Sequence, residues 1–103
     1  MTIFPNVVVN TEVEIGDCTI LNVNVTVSHD TKIGRYCNLN PAVNLAGNVT
    51  VGEGCYIGMG AKVIQGLSIG DWSVIGAGAV VIRDIPDGVT AVGVPATIIK
   101  QTN

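Results

Sequence analysis

The chain has 103 residues, 48% of them apolar and only 4% aromatic, with a formal net charge of −3. That length bounds a single domain, and the five basic residues, Lys32, Arg35, Lys62, Arg83 and Lys100, exclude the clustered positive surface that nucleic acid or an anionic membrane requires. No stretch reaches the ~18 apolar residues of a membrane span, and Met1-Thr2-Ile3-Phe4-Pro5 lacks the regions of a signal peptide, so a cytoplasmic protein is the expectation.

From the N-terminus a Val, Ile or Leu recurs at every sixth position without a break: Ile3, Val9, Ile15, Leu21, Val27, Ile33, Leu39, Leu45, Val51, Ile57, Val63, Ile69, Ile75 and Val81. A period of six matches neither an α-helix nor a simple strand, and is the mark of a parallel β-helix whose six-residue units form flat sides. Ile15-Gly16, Ile33-Gly34, Val51-Gly52 and Ile69-Gly70 recur every eighteen residues, and Gly58 and Gly76 share that spacing. Three units therefore close one triangular coil. The pattern predicts an all-β fold of about 4.7 such coils, stacked about 4.8 Å apart into a prism on the order of 23 Å tall.

Within each unit the positions have separate duties. The first fills the prism. The fifth, which includes Thr19, Thr31, Cys37, Cys55, Ser73 and Ala79, is small or aliphatic and is expected to point inward. The fourth is Asn6, Asn24, Asp30, Asn48, Gly54, Gly60, Gly66, Gly78 or Asp84 in nine of fourteen units; these types tolerate positive φ and mark the corners. The third is mostly polar, Pro or Gly and is expected to face out. Cys37 and Cys55 stack as buried thiols, a packing role, and Cys18 lies off that ladder.

The regular domain spans residues 1–86. Periodicity stops at Pro86-Asp87-Gly88, which reads as a turn, and residues 87–103 form a tail that either caps the last coil or contacts a neighbouring subunit. The first coil has no comparable cap, which points to burial in an assembly or to an upstream domain.

Several segments together resemble a known family: Val27-Ser28-His29-Asp30, Ile33-Gly34, Leu45-Ala46-Gly47-Asn48, Ile75-Gly76-Ala77-Gly78-Ala79-Val80-Val81 and Val92-Gly93-Val94-Pro95-Ala96. They are similar to the left-handed β-helix acetyltransferases, with the nearest likeness to the bacterial sialic-acid O-acetyltransferases and nucleotide 4-amino-sugar N-acetyltransferases. The left hand comes from this resemblance, since periodicity does not reveal it and parallel crossovers are ordinarily right-handed.

The resemblance implies transfer of an acetyl group from acetyl-coenzyme A, as co-substrate and without a metal, to an amine or hydroxyl of a sugar or nucleotide-sugar. His29, the only histidine, matches the family's general base, Asp30 its orienting acid, and Gly47 the glycine whose amide faces the acetyl carbonyl. Such chemistry needs a base for the incoming group and a donor for the developing oxyanion, and imidazole suits base work near neutral pH. Gly47 also lies eighteen residues after His29, one rung above it. The family pattern places the donor along a groove between subunits of a homotrimer, past Gly58, Met59, Gly76 and Ala77 towards Val94 and Pro95, with Asn22 and Asn38 near the acceptor. Asn38 stands where many members carry a second histidine, and the given residues are expected to start inside the β-helix, with no counterpart of the family's N-terminal nucleotide-sugar domain among them, as in a stand-alone minimal enzyme, a fragment, or a protein acting on a smaller acceptor.

Other classes fit less well. A carbonic anhydrase on this fold needs three histidine ligands for its metal, which one histidine excludes, and no two threonines lie eighteen apart as an ice-binding ladder requires. A non-catalytic scaffold, or the isolated β-helix of a larger transferase, is the alternative.

Overall fold

The computed structural model describes residues 1–101. They form an all-β left-handed parallel β-helix, and no helix among them is long and apolar enough to cross a membrane. Two-residue strands alternate with corners. The first face stacks Thr2–Ile3, Ile20–Leu21, Asn38–Leu39, Tyr56–Ile57 and Val74–Ile75; the second stacks Val8–Val9, Thr26–Val27, Asn44–Leu45, Lys62–Val63 and Val80–Val81. The third holds Glu14–Ile15, Lys32–Ile33, Thr50–Val51 and Ser68–Ile69. Every pairing within the coils is parallel and joins residues eighteen apart, as in Ile3 with Leu21 and Leu39 with Ile57, so the expected register holds throughout.

Inward and outward positions separate as the hexads require. From Leu21 to Val81 every first-position residue is buried, with Leu21, Leu39, Ile57, Ile75 and Val81 completely inaccessible. Ile3 and Val9, in the first coil, are 50% and 40% exposed because no rung among the described residues lies beneath them. Corners follow from the fourth position. From Asn6 to Gly78 each such residue has φ between 57° and 81°, including Glu12, Cys18, Tyr36, Ala42 and Trp72, whose side chains gave no sign of it. Asp84, expected to belong to this set, does not, because the coil ends there and Ile85 makes only a single bridge to Ile69.

One interior edge carries hydrogen bonds that periodicity does not reveal. The fifth-position column Thr19, Cys37, Cys55 and Ser73 turns its O–H and S–H groups onto carbonyls of the following rung: Thr19 Oγ1 donates to Gly34 O (2.7 Å), Cys37 Sγ to Gly52 O (3.0 Å), Cys55 Sγ to Gly70 O (3.0 Å) and Ser73 Oγ to Pro86 O (2.7 Å). Both thiols are free and buried, and that of Cys55 is held well above its ordinary range by its hydrogen bond with Cys37 and by burial.

The tail adds to the first face. Val89–Val92 pairs in parallel with Val74–Ile75, and Thr97–Gln101 returns antiparallel along it, giving a seven-stranded sheet. Seven strands span about 29 Å, which accounts for a longest dimension of 32 Å where the coils alone predict less. Ile33→Ala should lower unfolding free energy by about 2–5 kcal/mol through an unfilled cavity. Thr19→Val, which keeps shape but strands the Gly34 carbonyl, should cost about 1–3 kcal/mol. Chemical denaturation checks both, and unchanged midpoints would contradict the inward assignments.

Candidate functional site

The strand Thr26–Val27 ends at Ser28, and the chain turns the corner between the second and third faces through His29 and Asp30. On extended backbone neighbouring side chains point to opposite faces. Here Asp30 takes φ 58°, and the turn brings its carboxylate to the same side as the imidazole, with His29 Nδ1 3.0 Å from Asp30 Oδ2. Both side chains are about half exposed, at 50% and 53%. The corner is stitched on both sides: Asp30 N–H donates to Thr11 O (3.1 Å), and His29 O accepts from Asn48 N–H (3.0 Å). A carboxylate only accepts hydrogen bonds, so Nδ1 carries a proton here, and in the neutral ring Nε2 is then the acceptor.

Gly47 lies where the register puts it. A Cβ built on it would sit 2.6 Å from both Nε2 and Cε1 of His29, so the imidazole rests against backbone that only glycine leaves open. The Gly47 carbonyl accepts from Gly66 N–H at 3.0 Å, while its own N–H makes no hydrogen bond among the described residues. The imidazole and a residue whose amide is unengaged therefore lie side by side. That pair can accept a proton and stabilise a nascent oxyanion.

The remaining anticipated residues lie elsewhere on the prism. Gly58, Met59, Gly76 and Ala77 occupy the corner between the first and second faces, one side of the triangle away from His29. A Cβ on Gly58 would come 2.5 Å from Ala77 N, so stacking alone demands glycine there, whereas one on Gly76 would come 2.7 Å from the Val92 Cγ1 methyl, a side chain that could shift. Met59 is 58% exposed. Asn22 stands in the same column, its Oδ1 accepting from Val23 N–H at 2.7 Å as turn residues do. Asn38 is half-buried on the first face between Ile20 and Tyr56. Val94 and Pro95, joined by a cis peptide, form the turn of the tail, which is pinned to the second face by Val80 N–H to Gly93 O (3.0 Å) and Ala96 N–H to Val80 O (2.8 Å).

A cleft of about 170 Å³, lined by Arg83, Asp84, Ile85, Ala96, Thr97 and Ile98, opens where the tail crosses the top of the prism. Arg83 belongs to His29's column, three rungs higher; sequence reasoning missed the cleft because the tail has no period that would place it. No cluster of three or more His, Cys, Asp or Glu side chains gathers among the described residues.

The profile of the bacterial transferase hexapeptide (six repeats) matches residues 30–65 and 48–83, together just over half of the chain. Among solved structures, a GDP-perosamine N-acetyltransferase variant from Caulobacter crescentus, in complex with coenzyme A and GDP-perosamine, is 41% identical with a TM-score of 0.88. It covers 97% of this chain, and the match spans 53% of that protein, about half its length. The acetyltransferase domain of PglB from Neisseria gonorrhoeae is 33% identical with a TM-score of 0.86, over 94% of this chain and 56% of that one. A galactoside acetyltransferase in complex with coenzyme A is 29% identical with a TM-score of 0.90, over 98% and 65%. No curated protein sequence matches.

Gly47→Ala should push the imidazole off its seat and break its contact with Asp30. Because the chain has one histidine, its ring resonances in an NMR spectrum report this directly. Resonances identical to those of the parent protein would refute the stacked geometry.

Proposed function

Because the chain belongs to the bacterial hexapeptide-repeat transferases, we propose that it transfers an acetyl group from acetyl-coenzyme A to an amine or hydroxyl of a sugar or nucleotide-sugar. The observation that carries this reading is the imidazole of His29 lying against Gly47, with its Nδ1 engaged by Asp30. Its relatives support the substrate classes: the Caulobacter enzyme is named for a nucleotide-sugar and was crystallised with it and with coenzyme A.

In this mechanism His29 Nε2 removes a proton from the acceptor as its nitrogen or oxygen attacks the thioester carbonyl. Negative charge builds on that carbonyl oxygen, and the Gly47 N–H donates to it. When the intermediate collapses, the carbon–sulfur bond breaks and the imidazolium returns its proton to the departing thiolate of coenzyme A. Asp30 holds the ring in the productive tautomer and offsets the imidazolium charge. It does so without taking the proton, as a buried or half-buried carboxylate does beside a catalytic imidazole.

A single prism presents His29 on one corner and the Gly58–Met59 and Gly76–Ala77 edge on another. A groove with two walls forms when the His29 corner of one subunit faces that edge of the next, and a homotrimer closes this arrangement by three-fold symmetry. The donor then runs along the groove past Gly58, Met59, Gly76 and Ala77, its adenine end near Val94 and Pro95, while Asn22 and Asn38 serve the acceptor. The reaction belongs in the cytoplasm, where acetyl-coenzyme A is made.

Release of the coenzyme A thiol, followed across free and nucleotide-linked amino- and hydroxy-sugars, tests the assignment. His29→Ala should lower turnover by about 10²–10⁴-fold, the usual contribution of a positioned base. Asp30→Asn, which suits the same corner backbone, should fall between that variant and the parent. Equal rates for parent and His29→Ala would remove the imidazole from the mechanism, and a monomeric mass in solution would remove the shared groove.

A further inference from the structure

The chain has one Trp, two Tyr and one Phe, and three of these four gather at one place unrelated to His29. Tyr36 and Trp72 hold the fourth position of the corner between the third and first faces, two rungs apart, with Gly54 between them. Tyr56 begins the strand that leaves Gly54's rung. They are 51%, 56% and 47% exposed, respectively. Neither corner ring is there for the backbone's sake. Tyr36 and Trp72 adopt φ 61° and 57°, a region bulky side chains disfavour, whereas other corners use Asn24, Asp30, Asn48 or Gly60 for the same turn.

Their surroundings are organised. The indole spreads over Gly54, where any Cβ would overlap its six-membered ring, so glycine provides a flat seat. The Arg35 guanidinium stands 5.3 Å from the Tyr36 ring centre and is paired with Glu53. Beside the rings runs the column Asp17, Arg35, Glu53 and Asp71, three carboxylates with one guanidinium among them; Asp71 Oδ1 accepts from Glu53 N–H at 2.9 Å, which holds that carboxylate against the rung below.

We propose that this corner binds the ring face of a neutral pyranose within an oligosaccharide. Exposed aromatic faces take the C–H face of a sugar, a surface both apolar and weakly positive, and adjoining carboxylates accept from its hydroxyls. With three carboxylates to one guanidinium, which Glu53 already pairs, the column disfavours phosphates, nucleotides and sulfated glycans by like charge. Two aromatic faces separated by one rung suit successive units of one chain rather than a single monosaccharide. The site lies on a different corner from His29 and is independent of the transfer chemistry.

Trp72 is the only tryptophan, so its emission reports on this corner alone. Titration with maltotetraose and chitotetraose should give a saturable blue shift with at least one of them. Tyr36→Asn should weaken that binding about tenfold, the loss of one aromatic contact. Calorimetry should find no binding to Trp72→Asn, and both variants should keep or raise the melting temperature, because asparagine suits the corner. His29→Ala should bind as the parent does, so failure of the transferase reading and failure of this one are distinguishable. No shift with either sugar up to its solubility limit, unchanged heats with Trp72→Asn, or a shift produced by protein concentration alone, with a second copy covering the corner, would overturn it.

Discussion

Around the whole prism strand amides reach forward and corner amides reach back. Val8 N–H donates to Val25 O, Thr26 N–H to Val43 O and Asn44 N–H to Ala61 O, each seventeen residues on, while Asn24 N–H returns to Pro5 O and Asp30 N–H to Thr11 O, each nineteen residues back. The reversal is what a left-handed φ at the fourth position accomplishes. It lets one residue per corner turn the chain and still satisfy its own donor, which a buried backbone must do. Each coil is thereby bonded both ways to its neighbours, and residues eighteen apart stay in line over the full height. The position of His29 relative to Gly47 follows from this lattice and from no contact of its own.

Glycine serves the lattice in two unlike ways. At Gly54, Gly60, Gly66 and Gly78 it supplies positive φ without the steric cost other residues meet there. At Gly16, Gly34, Gly58 and Gly70 a Cβ would run into the backbone of the rung above, so absence of the side chain is what permits rungs to close. Gly47 belongs to neither group, since what its Cβ would strike is an imidazole. That distinction separates glycines that let backbone rungs close from one that leaves room for a neighbouring side chain.

The fold was legible because a hexad is a local signal repeated fourteen times, and each repeat confirms the inward position of the one before. The pairing of His29 with Gly47 was legible for the same reason. Other features depend on backbone direction and not on residue type. Thr19, Cys37, Cys55 and Ser73 read as small inward residues, but their role as donors requires knowing that the carbonyls of Gly34, Gly52 and Gly70 turn inward at that corner. The tail pairs Ile75 with Ala91 at a spacing of sixteen, which breaks the period that identifies the rest. Trp72 and Tyr36 resemble no corner residue, so their strained φ was invisible until the register was seen in three dimensions.

Asp30 illustrates how little freedom the corner leaves. The position asks for a residue at ease near φ 58°, which favours Gly, Asn and Asp. The imidazole asks for a charged acceptor 3.0 Å from Nδ1. Asparagine meets the first demand with a neutral oxygen, and glycine meets it with no side chain. Glutamate has the charge, and Glu12 does occupy a corner at φ 57°, but its extra methylene carries the carboxylate past an immediate neighbour's ring. Aspartate alone meets both demands without strain or overreach. The pairing of His29 with Asp30 is thus inherited from a turn that the prism needs in any case, and both side chains stand outside the core.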